Sequence, residues 1–317
     1  MTIHNFIEEW NNSSDYVVAH TSGSTGTPKE IRLLKKDMLA SARVTNEFFG
    51  ITSDSRMLLC LSPSYIAGKM MIVRSMESGA DLSFEEPSND ILAGYCGKPF
   101  DLVAVVPSQV VGLLEHKERL KYIRTMLIGG SAVSLELEKR LVALGVNAYA
   151  SYGMTETCSH IALRKIGESD IFTAVGPVQF RIDGRGCLCA DVPHLSIKNV
   201  VTNDVVELLS PKEFRWVGRF DNVINTGGIK VYPEDVERIL NNIICDRFYI
   251  SSHPSVKWGE EIILVLERES IGKEEEQMLY DKMRGILSPY QVPKKIICVP
   301  KFEETATGKV KRRKMIK

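Results

Sequence analysis

The side chains best suited to chemistry in this sequence stand in one short run, His20-Thr-Ser-Gly-Ser-Thr-Gly-Thr-Pro-Lys29. It gathers the hydroxyls of Thr21, Ser22, Ser24, Thr25 and Thr27 around two glycines and ends in a lysine. Gly23 and Gly26 let backbone amides approach an anion closely, and the hydroxyls add hydrogen-bond donors. Lys29 supplies a compact point charge suited to phosphate. The run is not the ordinary phosphate loop, because the spacing GxxxxGK[ST] is absent and Pro28 interrupts it.

Such a loop needs a rigid support, and the surrounding sequence offers one. Apolar runs at Tyr16-Val-Val-Ala19, Arg56–Leu61, Leu102–Val106 and Thr125–Ile128 read as strands. Between them, Lys36–Phe49, Tyr65–Ser78, Ser108–His116 and Ser134–Leu144 read as helices. In the last, Ser134 is the expected N-cap, apolar residues follow at helical spacing, and Gly145 stops it. Short, unbroken apolar strands alternating with helices predict a largely parallel sheet covered on both faces. From about Phe172, short β-like pieces and frequent glycines predict a β-rich subdomain. The polar, Gly-rich segment Arg219–Gly228 reads as a linker. Pro233–Leu240 reads as a helix with proline in its first turn, Glu260–Leu266 as a strand and Glu274–Leu287 as a helix. A second domain is therefore expected to start near Asn222.

Composition narrows the class without naming an activity. Hydrophobic residues make up 44% and charged residues 25%, an ordinary globular balance. Forty basic residues offset forty acidic ones, which removes the global electrostatic argument for nucleic acid or an anionic membrane. Six of the last nine residues, Lys309–Lys317, are basic, which on its own reads as a polar tail. Seven cysteines, an odd number, fit a reducing compartment better than a disulfide framework. No apolar stretch reaches the ~20 residues of a membrane span, and the first ten residues lack a signal-peptide pattern. A cytoplasmic protein is expected.

Thr21-Ser-Gly-Ser-Thr-Gly-Thr-Pro-Lys29 resembles the phosphate-binding signature of the adenylate-forming superfamily of acyl-CoA synthetases, adenylation domains and luciferases. Further signatures follow in the family's order. Gly129-Gly130-Ser131 resembles its adenine-side loop, and Ser151-Tyr-Gly-Met-Thr-Glu-Thr157 its YGxTE motif. Gly218–Glu237 resembles the hinge block, and Thr305-Ala-Thr-Gly-Lys309 the catalytic-lysine motif. The resemblance implies an α/β fold: a large layered domain over 1–221 with a β-rich subdomain, and a small mobile α+β lid over 222–317. A long segment that relatives carry ahead of the phosphate loop has no counterpart here, so the fold is expected to be N-terminally shortened, with a homodimer as one way to cover the exposed face.

The implied reaction activates a carboxylate with ATP and Mg²⁺, releasing pyrophosphate, and then transfers the acyl group to coenzyme A. Within it, Glu156 would bind Mg²⁺, Thr155 the α-phosphate and Tyr152, beside Gly153, the adenine. Asp204, in Thr202-Asn-Asp204, would hold the ribose, although Asn203 replaces the family's glycine and the spacing to Arg219 is short. Arg219 would be a second nucleotide contact and Asp221 the hinge. Lys309 would bridge carboxylate and α-phosphate, and Gly227, Gly228 and Lys230 would serve the coenzyme A step. The segment Leu61–Arg74 lacks the family's usual histidine. Its Gly68 and Arg74, with Thr157–Leu163, most resemble o-succinylbenzoate–CoA ligases of menaquinone synthesis. That acid carries a second carboxylate, for which Lys69 and His160 are candidates, with Tyr65 lining the acyl pocket. The alternatives are a ligase for another small acid and a catalytically silent nucleotide-binding protein.

Overall fold

The computed structural model describes residues 1–20, 30–303, 310 and 312, so the run at 21–29 and Lys309 lie outside the described residues. The chain divides into two compact units. Residues 1–181, 189–201 and 208–215 form the first, and residues 182–188, 202–207 and 216–317 the second.

The first unit opens with helix α1 (Ile3–Asn11), strands β1 (Tyr16–His20) and β2 (Glu30–Leu34) and helix α2 (Lys35–Phe49). Strand β3 (Arg56–Leu59), helix α3 (Ile66–Ser78), strands β4 (Asp81–Phe84) and β5 (Leu102–Val105) and helix α4 (Pro107–Glu115) follow. Strand β6 (Met126–Ile128), helix α5 (Leu135–Ala143) and strands β7 (Ala148–Gly153), β8 (His160–Lys165) and β9 (Ile171–Ala174) complete the alternation. Strands β3 to β7 pair parallel in the order β4-β3-β5-β6-β7, and β8 and β9 add antiparallel. The turn from parallel to antiparallel pairing falls at the Tyr-Gly-Met-Thr-Glu motif.

Alternation along the strands explains the two layers. Met57, Leu59, Leu102 and Ala104 face a core shared with Met38 and Ala42 of α2 and Met70, Met71 and Val73 of α3. Leu58, Val103, Val105, Met126 and Ile128 face the other core, with Val110 and Leu113 of α4 and Leu141 of α5. A sheet residue and its successor point to opposite faces, so runs apolar at every position require cover on both. Ser134 caps α5 as expected, accepting from the Leu137 amide at 3.3 Å. Gly68 of α3 has no room for a side chain, since a Cβ there would lie 2.3 Å from the Ser62 carbonyl oxygen.

The strand at Tyr16 departs from expectation. It does not join the parallel sheet but pairs antiparallel with β2 as a separate ribbon, ending in His20 opposite Glu30. Strands β10 (Gln179–Ile182), β11 (Cys187–Asp191), β12 (Asn199–Ser210) and β13 (Glu213–Arg219) form the predicted β-rich region, each next to its predecessor in the strand order. Strand β13 also pairs with β9, Phe214 opposite Phe172.

The remainder of the second unit contains strands β14 (Ile224–Thr226) and β15 (Ile229–Val231), helix α6 (Pro233–Leu240) and strands β16 (Phe248–Ser255) and β17 (Gly259–Glu267). Helix α7 (Lys273–Ile286) and strand β18 (Lys295–Val299) follow, the latter parallel to β17. Val236 and Leu240 of α6 and Met283 of α7 pack on Ile250, Ile262 and Leu264 of the sheet. The expected linker Arg219–Gly228 is instead structured. Phe220–Asn222 forms a 3-10 turn, and β14 and β15 make a hairpin across Gly227-Gly228. Both turn glycines have positive φ, 57° and 81°, so glycine here supplies backbone geometry rather than slack.

Candidate active site

In the first unit the motif residues collect at the carboxyl ends of neighbouring parallel strands, where open α/β sheets bind their ligands. Gly129, Gly130 and Ser131 follow β6. The Gly129 amide donates to the Val105 carbonyl at 3.0 Å, and the Ser151 hydroxyl donates to the Ile128 carbonyl at 3.0 Å. A Cβ on Gly129 would lie 2.9 Å from Ser151 Oγ, and Gly130 has φ +83°, so both glycines are steric requirements of this edge.

Strand β7 ends in Tyr152 and Gly153, where its register with β8 shifts. A Cβ on Gly153 would stand 2.3 Å from the Ser159 carbonyl oxygen, so only glycine fits the return of the chain. The Tyr152 ring meets Phe214 edge-on at 5.1 Å and tilts against Phe172 at 5.9 Å, which fixes one side of the phenol. Thr155–Thr157 forms a 3-10 turn. It is tightened by the buried Thr157 hydroxyl, which donates to the Ser159 carbonyl at 2.7 Å. This leaves Thr155 half-buried and Glu156 exposed. Among the described residues the Glu156 carboxylate takes part in no hydrogen bond or ion pair. A free hard-oxygen donor of this kind suits Mg²⁺, which binds through one or two carboxylates and keeps water and phosphate for the rest.

Helices α2 and α3 and strand β8 supply the side chains expected to face the acid. Tyr65 is the N-cap residue of α3 and is 52% exposed. Lys69 is buried, 1% exposed, with its ammonium 3.2 Å from Glu9, 3.1 Å from the Met1 sulfur and over the Phe6 ring. Burial draws its pKa below the ordinary lysine range, and Glu9 opposes that shift. Lys69, expected to face a substrate carboxylate, forms an internal ion pair with Glu9. His160 is buried and meets the Thr45 hydroxyl at 3.3 Å. Burial first, and the charge of Arg74 second, hold it well below the ordinary histidine pKa, so the ring is neutral at pH 7.

The residue that sequence reasoning did not assign a role is Arg74. Its side chain is 2% exposed, Nη1 reaches only the Met71 sulfur at 3.5 Å, and Nε has no hydrogen-bond partner. No carboxylate pairs with it among the described residues. Burial alone pushes its pKa down to about 10, and it remains cationic at pH 7. An unpaired buried charge costs several kcal/mol, about as much as a well-made ion pair would return. The sequence held one signal, a basic residue on an otherwise apolar helical stretch, Met70-Met-Ile-Val-Arg74.

In the second unit, Asp204 and Arg219 stand on neighbouring strands β12 and β13, which accounts for their short spacing. The Asp204 carboxylate accepts from Trp216 Nε1 at 3.2 Å and from Arg219 at 3.4 Å. Arg219 reaches on to Asp221 at 3.2 Å. Asn203 donates to the same Asp221 carboxylate at 3.2 Å and accepts from Arg185 at 2.9 Å. The expected ribose, phosphate and hinge residues are thus one connected polar network. Gly227 fits against Trp258, whose ring carbon would lie 2.7 Å from a Cβ. Lys230 is exposed on β15, opposite Asn225.

Comparison with known proteins places this geometry. A family model described as AMP-binding enzyme matches residues 4–183. Curated relatives include the 2-succinylbenzoate–CoA ligase of Listeria monocytogenes, 26% identical over 98% of this chain and 71% of its own length. That of Bacillus subtilis is 24% identical over 93% and 67%. Among solved structures, an acyl-CoA synthetase (AMP-forming)/AMP-acid ligase II-like protein from Dyadobacter fermentans is 34% identical. It has a TM-score of 0.65 and covers 98% of this chain and 91% of its own. The o-succinylbenzoate coenzyme A synthetase of Bacillus subtilis, in complex with ATP and magnesium ion, has a TM-score of 0.77 at 21% identity, covering 92% and 68%. The fold is the adenylate-forming one that the motifs imply. With more than half of its residues matched by the family model, the chain belongs to the AMP-binding enzyme family.

Proposed function

We propose that this protein is an AMP-forming acid–CoA ligase whose acid is 2-succinylbenzoate. In the first half-reaction a carboxylate oxygen attacks the α-phosphorus of ATP and pyrophosphate leaves, giving an acyl-adenylate. In the second, the sulfur of coenzyme A attacks the acyl carbon, its proton is released, and AMP leaves with the bonding pair. The family match and the names of the relatives support the chemistry.

The run at 21–29 and the carboxyl-end glycines 129, 130 and 153 are the nucleotide cradle of this reading, with Tyr152 against the adenine and Thr155 at the α-phosphate. Asp204 holds the ribose and Arg219 a phosphate oxygen. Glu156 would hold Mg²⁺, which when bound neutralises charge on the phosphates. Lys309 stabilises the charge that develops as the acyl–phosphate bond forms. Asp221 is the pivot between the half-reactions, and the 227–230 turn serves the coenzyme A step. The chain's seven free cysteines suit the cytoplasm, where this reading puts the enzyme.

The observation that carries the choice of acid is the buried Arg74, which has no carboxylate partner among the described residues. A monocarboxylate would spend its one anionic group on the α-phosphate, whereas a dicarboxylate brings a second to meet a guanidinium that α2, α3 and β8 have already desolvated. The test is acid-dependent ATP–pyrophosphate exchange and thioester formation with 2-succinylbenzoate, benzoate, phenylacetate and a fatty acid. The dicarboxylate is expected to show the highest kcat/KM. A benzoate preference would overturn the substrate, and no exchange with any acid would overturn the ligase.

A further inference from the structure

The second unit contains a buried carboxylate that the proposed reaction does not use. Glu237 of α6 is buried, accepts from the Ile250 amide at 2.7 Å and receives Arg312 Nη2 at 2.7 Å. One turn earlier, Glu234 lies 3.6 Å from Arg312 Nη1, so one guanidinium addresses two carboxylates of one helix. Glu234 also accepts from Asn222, next to the expected pivot. Its other oxygen is unpartnered and lies where a Cβ on Gly218 would be 2.6 Å away, immediately before Arg219. Helix α6 is therefore tied to the pivot segment on one side and to the C-terminal segment on the other.

The ties at the C-terminal segment bear on Lys309. Val310, its successor, packs against the cluster of Tyr249, Ile263, Val265 and Phe302. Arg312 follows two residues later, and three residues of chain span at most about 11 Å. Arg312 is itself part-exposed, but the carboxylates it meets are buried, and a planar guanidinium fork held by two fixed carboxylates tolerates little rotation.

We propose that Arg312 is a positioning residue for the adenylation half-reaction: clamped by Glu237 and Glu234, it anchors the segment that follows Lys309 to helix α6. The inference rests on the ligase reading and on the role given there to Lys309. Burial pushes the Glu237 pKa up to about 7 and Arg312 opposes that shift, consistent with a carboxylate that depends on this partner.

The experiment separates the half-reactions in the full chain, measuring ATP–pyrophosphate exchange with the acid and thioester formation from supplied acyl-adenylate and coenzyme A. Arg312→Gln is expected to lower exchange about 100-fold, the effect of misplacing a catalytic group by an ångström. The thioester step should remain within about three-fold of the unaltered rate, and Arg312→Lys, which keeps the charge but not the fork, should recover only a small part of the loss. Adding Arg312→Gln to Lys309→Ala should change exchange no further, because residues acting through one another are not additive. If Arg312→Gln does not fold, the pair E237Q and R312Q together, which leaves no charge buried alone, carries the same test. Equal loss of both half-reactions alongside a lowered Tm, or a double variant well below Lys309→Ala, would show a purely structural residue. Exchange lost in Lys309→Ala but kept in Arg312→Gln overturns this inference alone. Exchange absent from the unaltered protein overturns the ligase reading together with it.

Discussion

Arg74 in the first unit and Glu237 in the second are both ionisable side chains buried on helices, and they are treated in opposite ways. Glu237 receives a backbone amide and a guanidinium, each at 2.7 Å. Arg74 donates to a thioether sulfur at 3.5 Å and leaves Nε without a partner. Burial strains both, drawing the arginine down to about 10 and the glutamate up to about 7. The difference separates two uses of a desolvated charge. Glu237 has its opposing charge among the described residues and Arg74 does not, which in the reading proposed above leaves the bound acid to supply it.

The sharpest way to break that contrast is Arg74→Met. It should lower kcat/KM for 2-succinylbenzoate by about 10²–10³-fold, the range for losing one side of a buried charge pair, while activity with monocarboxylates holds or rises. The same substitution should raise Tm in the ligand-free protein, since an apolar side chain replaces an unpaired charge. A lower Tm with unchanged substrate preference would make Arg74 a structural residue. Smaller and opposite in sign are two pH effects. Glu237 has a raised pKa, so its contribution is full below the unfolded value of 4.5 and is lost as pH rises through about 7. Urea titrations of the second unit's unfolding should show this loss, at most about 1.4 kcal/mol per pH unit, and Glu237→Gln should abolish it. His160 has a depressed pKa, so its contribution is present above 6.5 and is lost as pH falls below that value. His160→Gln should remove the acid-side slope of the first unit. A KM for the acid that does not change between about pH 6 and 8 would confirm a neutral ring.

What could be read along the chain was local. The runs at Arg56, Leu102 and Thr125 are apolar at every position, and a strand with both faces covered has no other composition, so the parallel sheet was legible. Ser134 and Gly145 bracket α5 through capping chemistry that acts within four residues. The segment Arg219–Gly228 misled because glycine-rich polarity looks the same in a loose linker as in a tight hairpin, and only the pairing of Ile224 with Val231 separates them. Lys69 and Arg74 share a helix and differ in sequence by nothing that reveals Glu9 beside one and, among the described residues, no carboxylate beside the other. Their fates depend on residues 60 or more positions away or on an absence, and neither leaves a periodic trace. The candidate site was legible as a set of motifs at strand ends, while its charge balance was not.

The ribbon of β1 and β2 has a consequence for how this enzyme can vary. Its antiparallel register ends with His20 opposite Glu30, so the nine residues 21–29 leave and re-enter the fold at a single cross-strand pair. Bringing the ends of a connection together carries an entropic cost, and the pairing of β1 with β2 offsets it. That cost grows only logarithmically, about 0.6 kcal/mol for each doubling of length. Folding therefore exerts almost no selection on how many residues the connection contains. If its length is held constant in evolution, the proposed contact with phosphates, rather than folding, is the constraint to test.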